Sequence, residues 1–332
     1  MRVLLWHVHG SWTTAFVQGR HEYVVPVTPE RGPDGLGRAC TWTWPRSVVE
    51  VAPEQLRDTD VDVVVLQRPH EPELASRWLG RRPGRDVPAV YLEHNTPGGD
   101  VPTTRHSMAD QRAVPVVHVT HFNALFWDTG GAETRVIEHG IVDPGHRYRG
   151  DWPRAAVVVN DPVRRGRAVG ADLLPQLARA APLDVFGMNV HALRKQLDLP
   201  HERLWTFEDL PQQRMHAELA RRRVYVHTAR WTSLGLSLLE AMQLGMPVVA
   251  LATTEVVMAV PPAAGVVSTR VADLEAAVRR FVADPTAAQA AGAAAREAAL
   301  SRYGLRRFLD DWDALLADLS SRTGCRSSSR AT

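Results

Sequence analysis

Lysine is almost missing from this chain. Of 332 residues only Lys195 is a lysine, so arginine carries nearly all the positive charge, a mark of GC-rich coding more than of mechanism. Cysteine is scarce as well. Cys40 and Cys325 stand far apart without C-x-x-C spacing, which argues against a disulfide framework and against a structural zinc site. Neither sign of charge is in excess, and a net charge of +2 supports neither a nucleic-acid-binding nor a disordered chain. No apolar run approaches the roughly 20 residues that span a bilayer. The opening MRVLLWHVHG lacks the basic start, apolar stretch and cleavage site of a signal peptide, so the expected location is cytoplasmic. Internal repeats are lacking too. What remains, 45% apolar and 23% charged, is the composition of a soluble globular protein with room for two ordinary domains.

Strand-like apolar runs alternate with helical patterns over nearly the whole length, which points to doubly wound α/β domains. Arg2 to Val8, Asp60 to Leu66, Pro88 to Leu92 and Val114 to Thr120 read as strands of a first domain; Ala155 to Val159, Leu183 to Gly187 and Val224 to Thr228 read as strands of a second. The most informative stretch is Arg230 to Leu251, RWTSLGLSLLEAMQLGMPVVAL. A polar turn leads through Gly235 into a helix near Ser237, the helix stops at Gly245, and Val248 to Leu251 follow as a buried strand. Such a turn gathers unpaired N–H groups and a partial positive charge at one point, which seats a phosphate. Glu240 lies about one turn further in, where its carboxylate reaches a group attached to the anion, such as a ribose hydroxyl.

The wording of that stretch resembles the signature of glycosyltransferase family 4, E-G-F-G-L-x-x-L-E-A-M-A-x-G-x-P-V-V-A. The matching positions are Gly235, Leu236, Leu239, Glu240, Ala241, Met242, Gly245 and Pro247 to Ala250. The resemblance implies the GT-B fold, α/β with two doubly wound Rossmann-like domains facing a cleft, and a retaining hexosyltransferase that uses a nucleotide sugar. It carries ribose binding to Glu240. The family's first glutamate, a sugar contact, is Thr232 here, and the glycine after it is Ser233. Together Thr232, Ser233, Leu234, Gly235, Leu236 and Ser237 form the expected donor loop. A second family run, G-R-x-x-x-x-K-G-x-D-L-L, clamps the donor diphosphate. Aligned on Gly170-Ala171-Asp172-Leu173-Leu174, it puts Arg164 on the arginine and Val169 on the lysine. Arg167 is then the stand-in for the lysine, since a guanidinium binds phosphate through two parallel donors. Arg165 reads as a solvated loop charge. A base pocket is expected at Phe207 and Leu210, with plain core packing as the competing reading.

In the first domain the resemblance is thinner. Gly10, in the bend His9-Gly10-Ser11-Trp12, matches in part the family's glycine-containing loop, which approaches the donor phosphate or the acceptor, and is taken here as a donor contact. His94, just past the strand Pro88 to Leu92, takes the family's sugar-contact role and joins Arg164 as a catalytic candidate; a turn histidine closing the strand is the alternative. His7 reads as a loop or core polar residue, and His9 as either a site residue or, like His7, a loop or core polar one. No metal is expected, and the nucleotide sugar counts as substrate, not cofactor. The expected division is an acceptor-side domain over 1–150 with a hinge at 143–153, and a nucleotide-sugar domain over 151–302. A helix over 303–320 would pack back on the first domain, followed by a frayed tail over 321–332. The donor is expected to be UDP-linked in preference to GDP-linked. The acceptor stays open among glycan, lipid-linked intermediate and small metabolite, and no nucleic acid is expected. The turn Arg81-Arg82-Pro83-Gly84-Arg85 reads as solvated surface but leaves room for a peripheral contact with an anionic membrane. Two rival readings stand beside the transferase: a non-catalytic sugar-nucleotide binder, and another GT-B enzyme such as a nucleotide-sugar epimerase or hydrolase.

Overall fold

The computed structural model describes residues 1–328 and divides into two compact units, Met1–Gly140 with the segment from Leu305, and Ile141–Gly304. In the first unit seven parallel strands form one sheet: β1 (Arg2–Leu5), β2 (Glu22–Pro26), β3 (Val48–Val51), β4 (Val63–Leu66), β5 (Ala89–Glu93), β6 (Val116–His118) and β7 (Thr134–Val136). Their order is β3-β2-β1-β4-β5-β6-β7. Helices α1 (Gly10–Phe16), α2 (Glu71–Leu79) and α3 (His121–Phe126) run between them. Every residue of β4 and β5 is buried, as a parallel sheet covered on both faces requires.

The second unit holds β8 (Trp152–Val158), β9 (Leu183–Gly187), β10 (Leu204–Glu208), β11 (Arg222–His227), β12 (Val248–Leu251) and β13 (Gly265–Ser268), in the order β10-β9-β8-β11-β12-β13. Its helices are α4 (Pro162–Arg165), α5 (Leu174–Ala180), α6 (Leu193–Gln196), α7 (Gln212–Leu219), α8 (Leu236–Leu244), α9 (Val256–Ala259), α10 (Val271–Ala283) and α11 (Pro285–Tyr303). Both sheets wind alike. The chain steps outward over three strands, then returns to the far side of the first, so the direction switches between β1 and β4 and between β8 and β11. In open parallel sheets the ligand crevice lies outside the carboxyl ends of the strands at such a switch.

Helix α8 carries apolar residues nearly all round and is buried from Leu238 to Leu244, which suits a helix held inside a domain. It ends at Gly245, whose φ of +92° is cheap only for glycine. Behind that end, Gly292 of α11 lies so close to the Gly245 backbone that a side chain there would overlap its carbonyl. The last helix, α12 (Leu305–Ser328), belongs to the first unit. Its Trp312 meets Trp12 and Phe16 edge-on at 5.6 and 5.1 Å between ring centres.

Several boundaries differ from the sequence reading. Strands β3, β7 and β13 are three or four residues long, and none is wholly buried, so no apolar run announces them. The stretch expected to be a hinge is bonded to the second unit: Arg147 and Tyr148 donate to the Leu244 carbonyl, Arg149 and Gly150 to that of Ala220. The second unit thus begins at Ile141, ten residues before the expected start at 151. At the other end, the expected tail is helical through Ser328, and residues 329–332 lie outside the described residues. No helix among the described residues is long and apolar enough to cross a membrane.

Candidate functional site

The carboxyl end of the second sheet gathers most of the expected donor residues. After β8 the chain turns through Asp161 and α4 into a tight strap, Gly166–Val169. This strap lies against the loop that leaves β11. The Thr228 hydroxyl donates to the Val169 carbonyl at 2.8 Å, and the N–H groups of Arg230 and Trp231 donate to that of Ala168 at 2.9 and 3.2 Å. Gly170 has φ +75° and no space beside Thr228 for a side chain, so the two loops touch through backbone. Val169 itself is buried in the core.

The arginines there are tethered. Arg164 pairs with Asp161 at 2.8 Å and is largely exposed. Arg167 pairs with Asp172 at 2.9 Å, and Arg230 grips the same carboxylate with two nitrogens at 2.5 and 2.9 Å. Burial pushes the Asp172 carboxyl up, but the hydrogen bond and charge of Arg230 and the charge of Arg167 hold it below its ordinary range.

Helix α8 opens at Gly235 without a side-chain cap, and its first internal bond runs from Leu238 N–H to the Gly235 carbonyl at 3.0 Å. The N–H groups of Leu236 and Ser237 have no acceptor among the described residues. Ser237 shares a hydrogen bond with the buried Tyr225 hydroxyl at 3.0 Å. One turn further, the Glu240 carboxylate is buried and accepts from Gln212 Nε2 and His216 Nε2, each at 3.2 Å, both from α7. A carboxylate only accepts, so His216 carries its proton on Nε2. Thr232 is partly exposed, whereas Ser233 and Leu234 are buried and offer a ligand backbone rather than side chain. Glu255 is buried and paired with Arg302 at 3.0 Å. Phe207, Leu210 and Leu236 pack on the cluster that holds α8. One face of Phe207 is taken by Phe186, stacked at 4.6 Å, and the ring also borders a cavity of about 410 Å³ beside His191, Arg194 and Trp205.

At the switch of the first sheet the furniture is different. His9 precedes α1, and Gly10 is that helix's first residue instead of a loop glycine, with the Trp42 ring 3.2 Å from where its Cβ would stand. Gln67 follows β4 and His94 follows β5. The amide nitrogen of Gln67 donates to the Trp6 carbonyl at 2.7 Å, which fixes the flip of the amide, so its oxygen faces His94 Nε2 at 3.0 Å. His94 therefore holds its proton on Nε2 and keeps Nδ1 as an acceptor. The His9 ring lies 3.9 Å from that of His94. Burial, followed by the neighbouring His9 and His139, drives His94 well below its ordinary pKa. His139 is pushed down to about 3 by burial and the charge of His9 and Arg307, and neither of its ring nitrogens has a partner among the described residues. His9 falls to about 4 through burial and the charge of Arg68. His7 bonds the Gly37 carbonyl at 3.1 Å.

The sequence reading named Arg164, Arg167, the 232–237 loop and Glu240, which the second unit brings to one end of its sheet, while Gly10 and His94 lie in the first unit. It missed Arg230, Gln67, Gln212 and His216. Arg230 had a signal, a cation just past the carboxyl end of a strand at the switch; the others act through partners distant in sequence.

The sequence model of the family described as glycosyl transferases group 1 matches residues 172–298. No curated protein matches the sequence. Sucrose-phosphate synthase from Thermosynechococcus elongatus is similar in structure, with a TM-score of 0.71 at 14% identity, covering 97% of this chain and 100% of its own. Anabaena Alr3699/HepE, solved with UDP and glucose, has a TM-score of 0.70 at 13% identity, covering 96% and 100%. AviGT4, a glycosyltransferase involved in avilamycin A biosynthesis, has a TM-score of 0.61 at 17% identity, covering 97% and 98%. The fold is thus that of the GT-B glycosyltransferases, two Rossmann-like units each built on a parallel sheet.

Proposed function

We propose that this protein is a retaining glycosyltransferase that moves a hexose from a nucleotide sugar, UDP-linked in preference to GDP-linked, to an acceptor that stays open. The observation that carries this reading is Glu240: a buried carboxylate, oriented by Gln212 and His216, one turn inside a helix whose first two amides find no acceptor among the described residues. In the proposal Glu240 takes the ribose, while the Leu236 and Ser237 amides and Arg164 take the diphosphate. Arg167 adds charge beside them, and Phe207 and Leu210 border the base. In the first unit His94 meets the sugar through Nδ1, with the Gly10 turn beside it. Charge builds on the leaving phosphate as the glycosidic bond breaks, and fixed donors there stabilise the transition state. The acceptor's proton passes to that phosphate in a same-face substitution, without a metal. The UDP preference draws support from HepE, solved with UDP-glucose.

A thermal-shift panel of nucleotides and nucleotide sugars, run on the parent and on Glu240→Ala, tests the reading. UDP at a hundred times its Kd stabilises a binder by about 2.7 kcal/mol, so the parent melts several degrees higher and Glu240→Ala does not. No shift in the parent sinks the donor assignment. Thr232, standing where the family has glutamate, keeps a non-catalytic binder in view. That protein would shift with nucleotide yet transfer to no acceptor, whereas an epimerase or hydrolase would consume the donor alone.

A further inference from the structure

We infer that Arg230 is the second cation of the diphosphate clamp, replacing across the loop the lysine that the strap lacks at Val169; this rests on the nucleotide-sugar reading above. The strap cannot supply that charge from its own position, because Val169 is sealed in the core and its carbonyl is held by Thr228. The neighbouring loop can. Arg230 leaves the carboxyl end of β11 two residues before the donor loop and lies against the strap through backbone as well as side chain.

Its guanidinium is used on one side only. Asp172 takes Nη1 at 2.5 Å and Nη2 at 2.9 Å, and the second Nη1 hydrogen goes to the Arg167 carbonyl at 2.8 Å. The Nε hydrogen and the other Nη2 hydrogen, which lie along the adjacent edge, have no partner among the described residues. That edge is a fork with the spacing of two oxygens on one phosphorus. Three hydrogen bonds hold the group with its side chain about a quarter exposed, so little further order is lost when an anion docks. The charge also remains in excess, since the single carboxylate of Asp172 faces both Arg167 and Arg230. Arg167, three-quarters exposed with one tether, is the looser of the two.

The test is a calorimetric titration of the full chain with UDP, and a ligand-observed NMR titration with uridine, on the parent, Arg230→Gln and Arg230→Lys. The inference expects Arg230→Gln to weaken UDP about tenfold while uridine stays within about twofold, because only the phosphates meet the fork. Arg230→Lys keeps charge without the fork and recovers part of the loss. The unliganded melting temperature of each variant is measured first; should Arg230→Gln not fold, Arg230→Lys decides alone, with a weakening of roughly threefold or more expected. Unchanged UDP affinity in the folded variants overturns the role, and so does an equal loss of UDP and uridine, which marks a loop prop. A parent that binds neither ligand overturns the donor reading itself, an outcome visible without any substitution.

Discussion

The two sheets of this protein wind identically yet furnish their switch points with opposite chemistry. After β8 and β11 come arginines, a carboxylate one turn inside a helix, and backbone amides without an acceptor among the described residues. After β1 and β5 come His9 and His94 and, beyond β7, His139, all driven toward the neutral form. A polyanion suits the first set. The neutral rings of the second set carry no formal charge themselves, the nearby Arg68 being paired with Glu71, and Nδ1 of His94 presents a lone pair suited to a hydroxyl. One topology thus supplies two complementary crevices, and only the residues that follow the strands decide which is which.

The sharpest way to break that comparison is to remove one residue from each side. Glu240→Ala should lower UDP affinity about a hundredfold, the loss of hydrogen bonds to a charged group, and leave the His216 and Gln212 donors unpaired. His94→Ala should leave UDP affinity within about twofold while slowing transfer roughly tenfold. Equal effects on UDP binding, read by calorimetry, would erase the distinction between the two crevices.

Acid should separate the units next. His118 and His139 in the first unit fall to about 4 and about 3, both through burial first, whereas in the second unit only His227 among the described residues is pushed down comparably, to about 4. In the unfolded chain each titrates near 6.5, so unfolded molecules bind more protons below that pH. The stability these rings contribute is complete above about 6.5 and drains away as pH falls toward 4 and then 3, at about 1.4 kcal/mol per pH unit for each. Hydrogen exchange at pH 5, corrected for intrinsic rates, should then quicken across β1, β5 and β6 before β11 and β12. Uniform quickening would show that the histidines do not govern the acid response. The smallest effect is expected at Arg165→Ala: under about 0.5 kcal/mol in stability and no change in UDP binding, since an exposed charge with no ion pair among the described residues contributes little.

How far the sequence could be read follows the same divide. Helix α8 was legible because its turn, apolar run, Gly245 stop and Pro247 restart are all local, and local signals need no partner. Glu240 came with it. Strands β3, β7 and β13 were not, since short strands take their place from neighbours and not from a run of their own. Nor was the last stretch of α12, whose polar wording reads as tail. Within the candidate site, the tautomer of His94 depends on Gln67, and the grip on Arg230 depends on Asp172, 58 positions away. Pairings of that span belong to the folded chain and leave no periodicity to detect.

Gly292 and the stop of α8 carry one more consequence. The helix is a rod of nine residues, about 13 Å long, with its uncapped N-terminus at one end and a glycine-to-backbone contact clamping the other. A methyl group added at Gly292 would overlap the Gly245 carbonyl, so α8 and α11 could not keep their present approach. Under the nucleotide-sugar reading proposed above, a substitution at Gly292 acts on the far end of α8 without approaching the ligand.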